Sequence, residues 1–159
     1  MESSIAICNY FIKKSLDEGT PSDGLKLLKL TYIAHGFYLA YTGTPLVDEG
    51  AEAWKYGPVF PCLYSCLKKN GPNEITRLQK EHAQYPAPLV TDQDQCKFLD
   101  EVWLCYGKYD KLTLSSIAHA DGTPWAVTIN YSKGDERSGS VIPNNLITKY
   151  YKTLLSKED

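Results

Sequence analysis

The stretch LKLLKLTYIAHGFYLAY, Leu25 to Tyr41, decides the fold. Apart from Lys26, Lys29, Thr31 and His35, every residue in it is apolar, aromatic or glycine. A helix that is apolar nearly all round belongs in the middle of a bundle, because a surface helix needs only one apolar stripe. Asp23 stands where a residue capping this helix is expected.

Helical signals recur on both sides. Ser3 or Ser4 can cap a first helix carrying Ile5, Cys8, Ile12 and Leu16, and Glu18-Gly19-Thr20-Pro21 ends it. After the central helix, Gly43, Pro45, Gly50 and Gly57 punctuate two short stretches, Pro45 to Val47 and Ala51 to Tyr56, predicted to be extended or a small β-hairpin. From Pro58 onward, Phe60, Leu63, Tyr64 and Leu67 predict a third helix with a proline pair in its first turn, stopped by Asn70-Gly71-Pro72. Pro72 to Leu89 reads as a surface connection with one extended piece near Ile75.

Thr91 to Asp94 resembles a capping box ahead of Phe98, Leu99, Val102, Trp103 and Tyr106. Thr113 can cap a short helix over LSSIAHA, and Thr123-Pro124 opens another through Trp125, Val127 and Ile129. Beyond the polar loop YSKGDERSGS, a last helix starts near Pro143 and carries Leu146, Ile147, Tyr150, Leu154 and Leu155. The expected fold class is mainly α: a single compact domain over residues 1–159, with about six helices and a small extended or hairpin segment between the second and third.

Composition narrows the function. A chain of 159 residues with 43% hydrophobic content needs no staples to fold. Lysine and arginine number 17 against 19 acids, so no broad basic face is available for a phosphate backbone and nucleic acid is not an expected partner. No apolar run is long enough to cross a bilayer, and MESSIAICNYFIKK lacks the features of a secretory signal, so a cytoplasmic protein is expected. The five cysteines are odd in number and scattered in apolar patterns, as reduced thiols are.

Catalytic candidates do not assemble. Cys62 and Cys66 are four apart on the predicted third helix, a spacing that presents two thiolates to a metal, but nothing supplies the remaining ligands and packing is the expected role of both. His35 sits in the apolar helix as a hydrogen-bonded core residue, His82 in a polar loop as a solvated one. His119 stands at a helix end, where a cation favours the dipole, with no nucleophile and orienting group beside it in sequence. Asp48-Glu49 and Asp135-Glu136 read as solvated loop charges, and no phosphate-binding glycine pattern occurs. No catalytic, cofactor or metal set is predicted. Twelve tyrosines and three tryptophans suit cores and interfaces alike; Trp54, Trp103 and Trp125 are expected to pack.

Three landmarks in order resemble the SocA-like antitoxin, or Panacea, domain family, formerly known as a phage-associated family of unknown function. The first is Lys29, Leu30, Tyr32, Ala34 and Gly36 in the central helix; Ile33 departs mildly from a second aromatic common there. The second is Pro45-Leu46, Ala53-Trp54 and Tyr56-Gly57-Pro58-Val59, and the third is Ile117, His119 and Pro124-Trp125.

The resemblance implies an antitoxin that neutralises a co-encoded protein toxin by direct contact, and not an enzyme. Members often carry an extra N-terminal DNA-binding module, and none is expected here. One branch is similar to an adaptor delivering its toxin to a protease, so a proteolysis adaptor is the alternative function and protease machinery a further candidate partner. An enzyme of unrecognised mechanism is the third. Partner contact is predicted at Trp54, Tyr56, Tyr64, Trp125, Tyr150 and Tyr151, near the hairpin, the last helix, or both. Gly57, Pro58, Val59 and Pro124 are the structural motif: Gly57 permits a bend, Pro58 sets the entry to a helix, and Trp54 shares a side with Tyr56 if that segment is extended.

Overall fold

The computed structural model describes residues 1–131 and 139–157. In chain order it has α1 (Ser4–Asp17), β1 (Ser22–Asp23), α2 (Gly24–Thr42), β2 (Glu52–Trp54), β3 (Gly57–Val59), α3 (Pro61–Leu67) and β4 (Glu74–Ile75). It continues with α4 (Gln93–Tyr106), α5 (Lys111–His119), α6 (Pro124–Tyr131), β5 (Ser140–Val141) and α7 (Asn144–Lys157). The fold is mainly helical, with the small antiparallel hairpin between α2 and α3. Among the described residues there are seven α-helices, the short α5 and α6 standing apart.

α2 is the axis. Asp23 accepts from the Lys26 N–H at 2.9 Å to open it. Gly43, with φ of 76°, closes it by donating to the Leu39 carbonyl at 2.8 Å, a left-handed cap that suits glycine. Every residue from Leu27 to Phe37 is buried, because α1, α3, α4, α5 and α7 all pack around this helix. Its most extensive contact is with α7: a Cβ on Gly36 would stand 2.6 Å from the Tyr151 ring, so the absent side chain lets that ring lie against the α2 backbone. Tyr151 is boxed by Phe37 at 4.8 Å and Tyr32 at 6.3 Å between ring centroids.

Several helix starts differ from the sequence reading. Asp110, not Thr113, caps α5, since its carboxylate accepts from the Thr113 N–H at 2.8 Å. Asp92 caps α4 in the same way through Gln95. α3 begins at Pro61 after Phe60, and Pro58 lies within β3 instead of opening the helix. β3 is an edge strand, where a proline without an N–H is tolerated. Ser3 caps α1, and Thr123 with Pro124 opens α6 as expected, its hydroxyl accepting from Ala126.

Two sheets fasten the loops. β1 pairs with β4, so the extended piece near Ile75 is present. β3, β2 and β5 form a three-stranded antiparallel sheet in that order. Of the expected extended stretches, only Glu52–Trp54 of the second is a strand, and the first contributes a single bridge between Glu2 and Val47. The 72–89 connection is tied down more firmly than its polarity suggests. Buried Asn9 donates to the carbonyls of Gln79 at 3.0 Å and Pro88 at 2.9 Å and accepts from the Gln79 N–H at 2.7 Å. No helix among the described residues is long and apolar enough to cross a membrane.

Candidate partner-binding surface

The hairpin is closed by two residues, Lys55 and Tyr56, with Trp54 in register with Gly57. Gly57 has φ of 121°, in the region glycine favours, and a Cβ there would lie 2.8 Å from Lys29 Nζ. Both restrictions make glycine the fitting residue. Lys29 is 1% exposed and donates to the Pro58 carbonyl at 3.0 Å, drawing β3 onto α2. Burial pulls its amine down to about 8.

The third landmark closes on the other two. Trp125 Nε1 donates to the Trp54 carbonyl at 2.6 Å, and its ring lies edge-on to His119 at 5.6 Å. His119 Nδ1 is 3.2 Å from Ser115 Oγ one turn earlier on α5, and among the described residues no carboxylate lies within ion-pair distance of it. Lys29, Trp54-Gly57-Pro58 and His119-Trp125, far apart in sequence, thus form one joint. Val59 and Pro124 are buried within it.

What this joint presents outward is aromatic and basic. Half-buried Trp54 donates through Nε1 to Glu52 at 3.0 Å and meets Tyr64 of α3 edge-to-face at 4.9 Å. Tyr56 lies in the turn and not in the extended strand that holds Trp54, so the condition for a shared strand face is not met, and its ring is 74% exposed. Lys55 lies over the Tyr56 ring at 5.5 Å and Lys68 over the Tyr64 ring at 5.8 Å, both in cation–π range. Tyr150 is half-buried beside a separate cleft of about 320 Å³ that Pro124, Val127 and Leu146 also line. Tyr151 is a correction. At 1% exposure it belongs to the core, because the α7 turn that half-exposes Tyr150 directs its neighbour into α2.

The remaining candidates separate likewise. Cys66 is buried against the Lys80 carbonyl, but Cys62, expected to pack, is exposed; α3 is only partly covered, so residues four apart differ in burial. Glu49 is not a free loop charge: it accepts from Ser4 Oγ and from the Cys62 N–H at 3.2 Å, at the α3 N-terminus, where a carboxylate is favourable. Asp135-Glu136 lie outside the described residues. His35 is the expected core histidine. Its Nδ1 accepts from the Val47 N–H at 3.3 Å and Nε2 lies 3.3 Å from Asn144 Oδ1, which places the ring proton on Nε2. Burial holds it down at about 4, hence neutral. His82 is exposed. Trp103 is half-buried, stacked on Phe11 at 6.2 Å and donating to Glu18. No group of three histidine, cysteine or acidic side chains suited to a metal occurs among the described residues. Sequence reasoning missed the basic rim of Lys55 and Lys68, since a lysine beside a tyrosine in sequence does not reveal which ring it covers.

Residues 27–126, which include the hairpin joint, match the model described as Antitoxin SocA-like, Panacea domain, and the chain belongs to that family. It is 36% identical over 130 residues to Antitoxin SocA of Caulobacter vibrioides (strain NA1000 / CB15N), an alignment covering 79% of this chain and 69% of that protein. No solved structure matches.

Proposed function

We propose that this protein is an antitoxin that neutralises a co-encoded protein toxin by direct, stoichiometric binding, without catalysis. The family and the 36% identical Antitoxin SocA support the general role. The observation that carries the mode of action is the joint itself. Three family landmarks are spent on packing β2 and β3 against α2 and α6, leaving Tyr56, Tyr64 and part of Trp54 at the surface. Rings already packed on each other, as Trp54 and Tyr64 are, lose little entropy on docking, and tryptophan and tyrosine are prominent among the residues that dominate interface energies. The binding surface is therefore assigned to Trp54, Tyr56 and Tyr64, with Trp125 supporting it from behind.

The test expresses the adjacent gene alone and with this one. Growth arrest by the neighbour, its relief on co-expression and recovery of a complex of fixed stoichiometry are expected. Tyr56→Ala with Tyr64→Ala is expected to weaken that complex by about 2 kcal/mol or more. Tyr41→Ala, 77% exposed at the far end of α2, is expected to leave it unchanged. A harmless neighbour, or protection that requires only catalytic amounts of this chain, defeats the reading. Measuring the neighbour's half-life in the same cells separates inhibition by binding from delivery to a protease.

A further inference from the structure

Buried polar side chains converge on the loop that follows β4. Asn9, 0% exposed, holds both the N–H and the carbonyl of Gln79. Gln79, 6% exposed, accepts at Oε1 from Asn70 Nδ2 at 2.9 Å and donates through Nε2 to the Arg77 carbonyl at 2.9 Å. The Cys66 thiol donates to the Lys80 carbonyl at 3.4 Å. Residues 77–80 belong to no helix or strand, so this network is what fixes their backbone, and with it the roots of the Arg77 and Lys80 side chains.

Those two side chains and Lys69, from the turn after α3, line one cleft of about 380 Å³. It continues past Cys66 and Lys69 into a second hollow of about 270 Å³ beside Ser65. Glu81 is the acid lining the cleft, and neither it nor any other described carboxylate lies within ion-pair distance of the three cations. Exposed lysines without an ion pair are common in this chain. What sets these three residues apart is that they meet in one cleft, on a segment held rigid from beneath. Gln79 lines the same cleft, and its amide nitrogen carries two hydrogens. The Arg77 carbonyl takes one, and no described residue provides an acceptor for the other.

We propose that this cleft is an anion site for a small phosphorylated molecule, with the phosphoryl group seated among Lys69, Arg77 and Lys80. The rest of the molecule lies along Leu78 and Ala83, which line the cleft beside them. A phosphoryl group brings close to two negative charges and three acceptor oxygens, enough to answer three cations and an amide N–H in the presence of Glu81; a carboxylate, with one charge and two oxygens, is not. The Arg77 fork can give two parallel hydrogen bonds to one such group. The volume falls within the ~300–1,000 Å³ of small-molecule sites. Nucleic acid needs cations spaced along a backbone, whereas these address one point. The site lies apart from the Trp54–Tyr64 surface: Cys66 and Lys69 follow a different row of helical spacing from Tyr64 and Lys68. It therefore does not rest on the antitoxin reading.

The test follows thermal unfolding of the full chain in inorganic phosphate and in glycerol 3-phosphate, each at about 10 mM, against sodium chloride of the same ionic strength. A dissociation constant of about 1 mM raises the midpoint by about 3–5 °C, and the ester is expected to bind at least as tightly as the free ion. Lys69→Gln, Arg77→Gln and Lys80→Gln are each expected to weaken binding about fivefold or more, and Glu81→Gln to tighten it about threefold. Lys108→Gln makes the same charge change on a cleft beside Glu18 and Trp103 and is expected to leave the shift unchanged. All five side chains are exposed, so the melts in chloride are expected to show folded variants. No shift of the wild type in either probe overturns the site. A shift that the three lysine and arginine variants leave intact, or that Lys108→Gln removes as well, overturns its placement in this cleft. A phosphoserine peptide or a single-stranded oligothymidine that binds more tightly than glycerol 3-phosphate, and loses binding in the same three variants, overturns the assignment to a small molecule.

Discussion

The amine of Lys29, buried on α2, donates to the carbonyl of Pro58 on β3 at 3.0 Å. A side chain from the central, almost wholly buried helix therefore holds the hairpin that presents Trp54 and Tyr56. Desolvation is the cause of its lowered amine, at about 8 against an ordinary 10.5. Between these values the unfolded chain binds a proton that the folded chain releases, so stability rises with pH across this window. Below about 8 the cost of the buried charge is present in full. Unfolding midpoints in urea from about pH 8 to 10 are expected to rise, with at most about 3 kcal/mol available from this group. Lys29→Met, which removes the titrating amine, is expected to flatten that slope; an unchanged slope would refute the assignment.

His35 acts at the acidic end. Its ordinary value of 6.5 falls to about 4 on burial, so between these limits the unfolded chain takes up a proton that the folded chain refuses. Stability is expected to drop by up to about 3 kcal/mol on acidification from about pH 6.5 to 4. His35→Asn should show a shallower loss over that range in the same denaturation series, whatever its absolute stability.

Gly36→Ala tests the α2–α7 contact. On helix propensity alone alanine would stabilise α2 by about 1 kcal/mol. The added Cβ would stand 2.6 Å from the Tyr151 ring, which Phe37 and Tyr32 prevent from yielding. Overpacking costs about 1–3 kcal/mol, so the propensity gain is cancelled or exceeded and a net loss of up to about 2 kcal/mol is expected in chemical denaturation. A variant more stable than wild type would mean that α7 moves freely.

Trp125→Phe keeps a ring against His119 and removes the indole donor to the Trp54 carbonyl together with part of the ring's bulk. A destabilisation of about 1 kcal/mol is expected. Because that bond steadies the hairpin, partner affinity should fall in parallel; stability lost without affinity would separate the joint from the binding surface.

Stoichiometric action makes a further demand. Cys62→Ser, at an exposed position, should change stability by no more than about 0.5 kcal/mol and leave growth protection intact. His119→Gln should also protect if folded. Loss of protection in either folded variant would point to chemistry at that side chain.

Much of this architecture was legible along the chain. The all-round apolarity of Leu25 to Tyr41 marks the central helix because only a surrounded helix has no face left for water, and Ser3, Asp23 and Thr123 cap as local chemistry requires. The landmarks also identify the family, since each contains residues of restricted backbone or unusual bulk. Tertiary structure alone decided the rest. Tyr150 and Tyr151 are neighbours of the same kind, yet one is half-exposed and the other is core, because Gly36 leaves room for a ring at only one of those positions. Cys62 and Cys66 share a helix but not a fate, because the 77–83 segment covers one of them. The pairing of Trp54 with Tyr64, the engagement of Glu49 at α3 and the lysines left over tyrosine rings all depend on distances between separate elements. Those distances are set by how the helices pack around α2, and no local spacing encodes them.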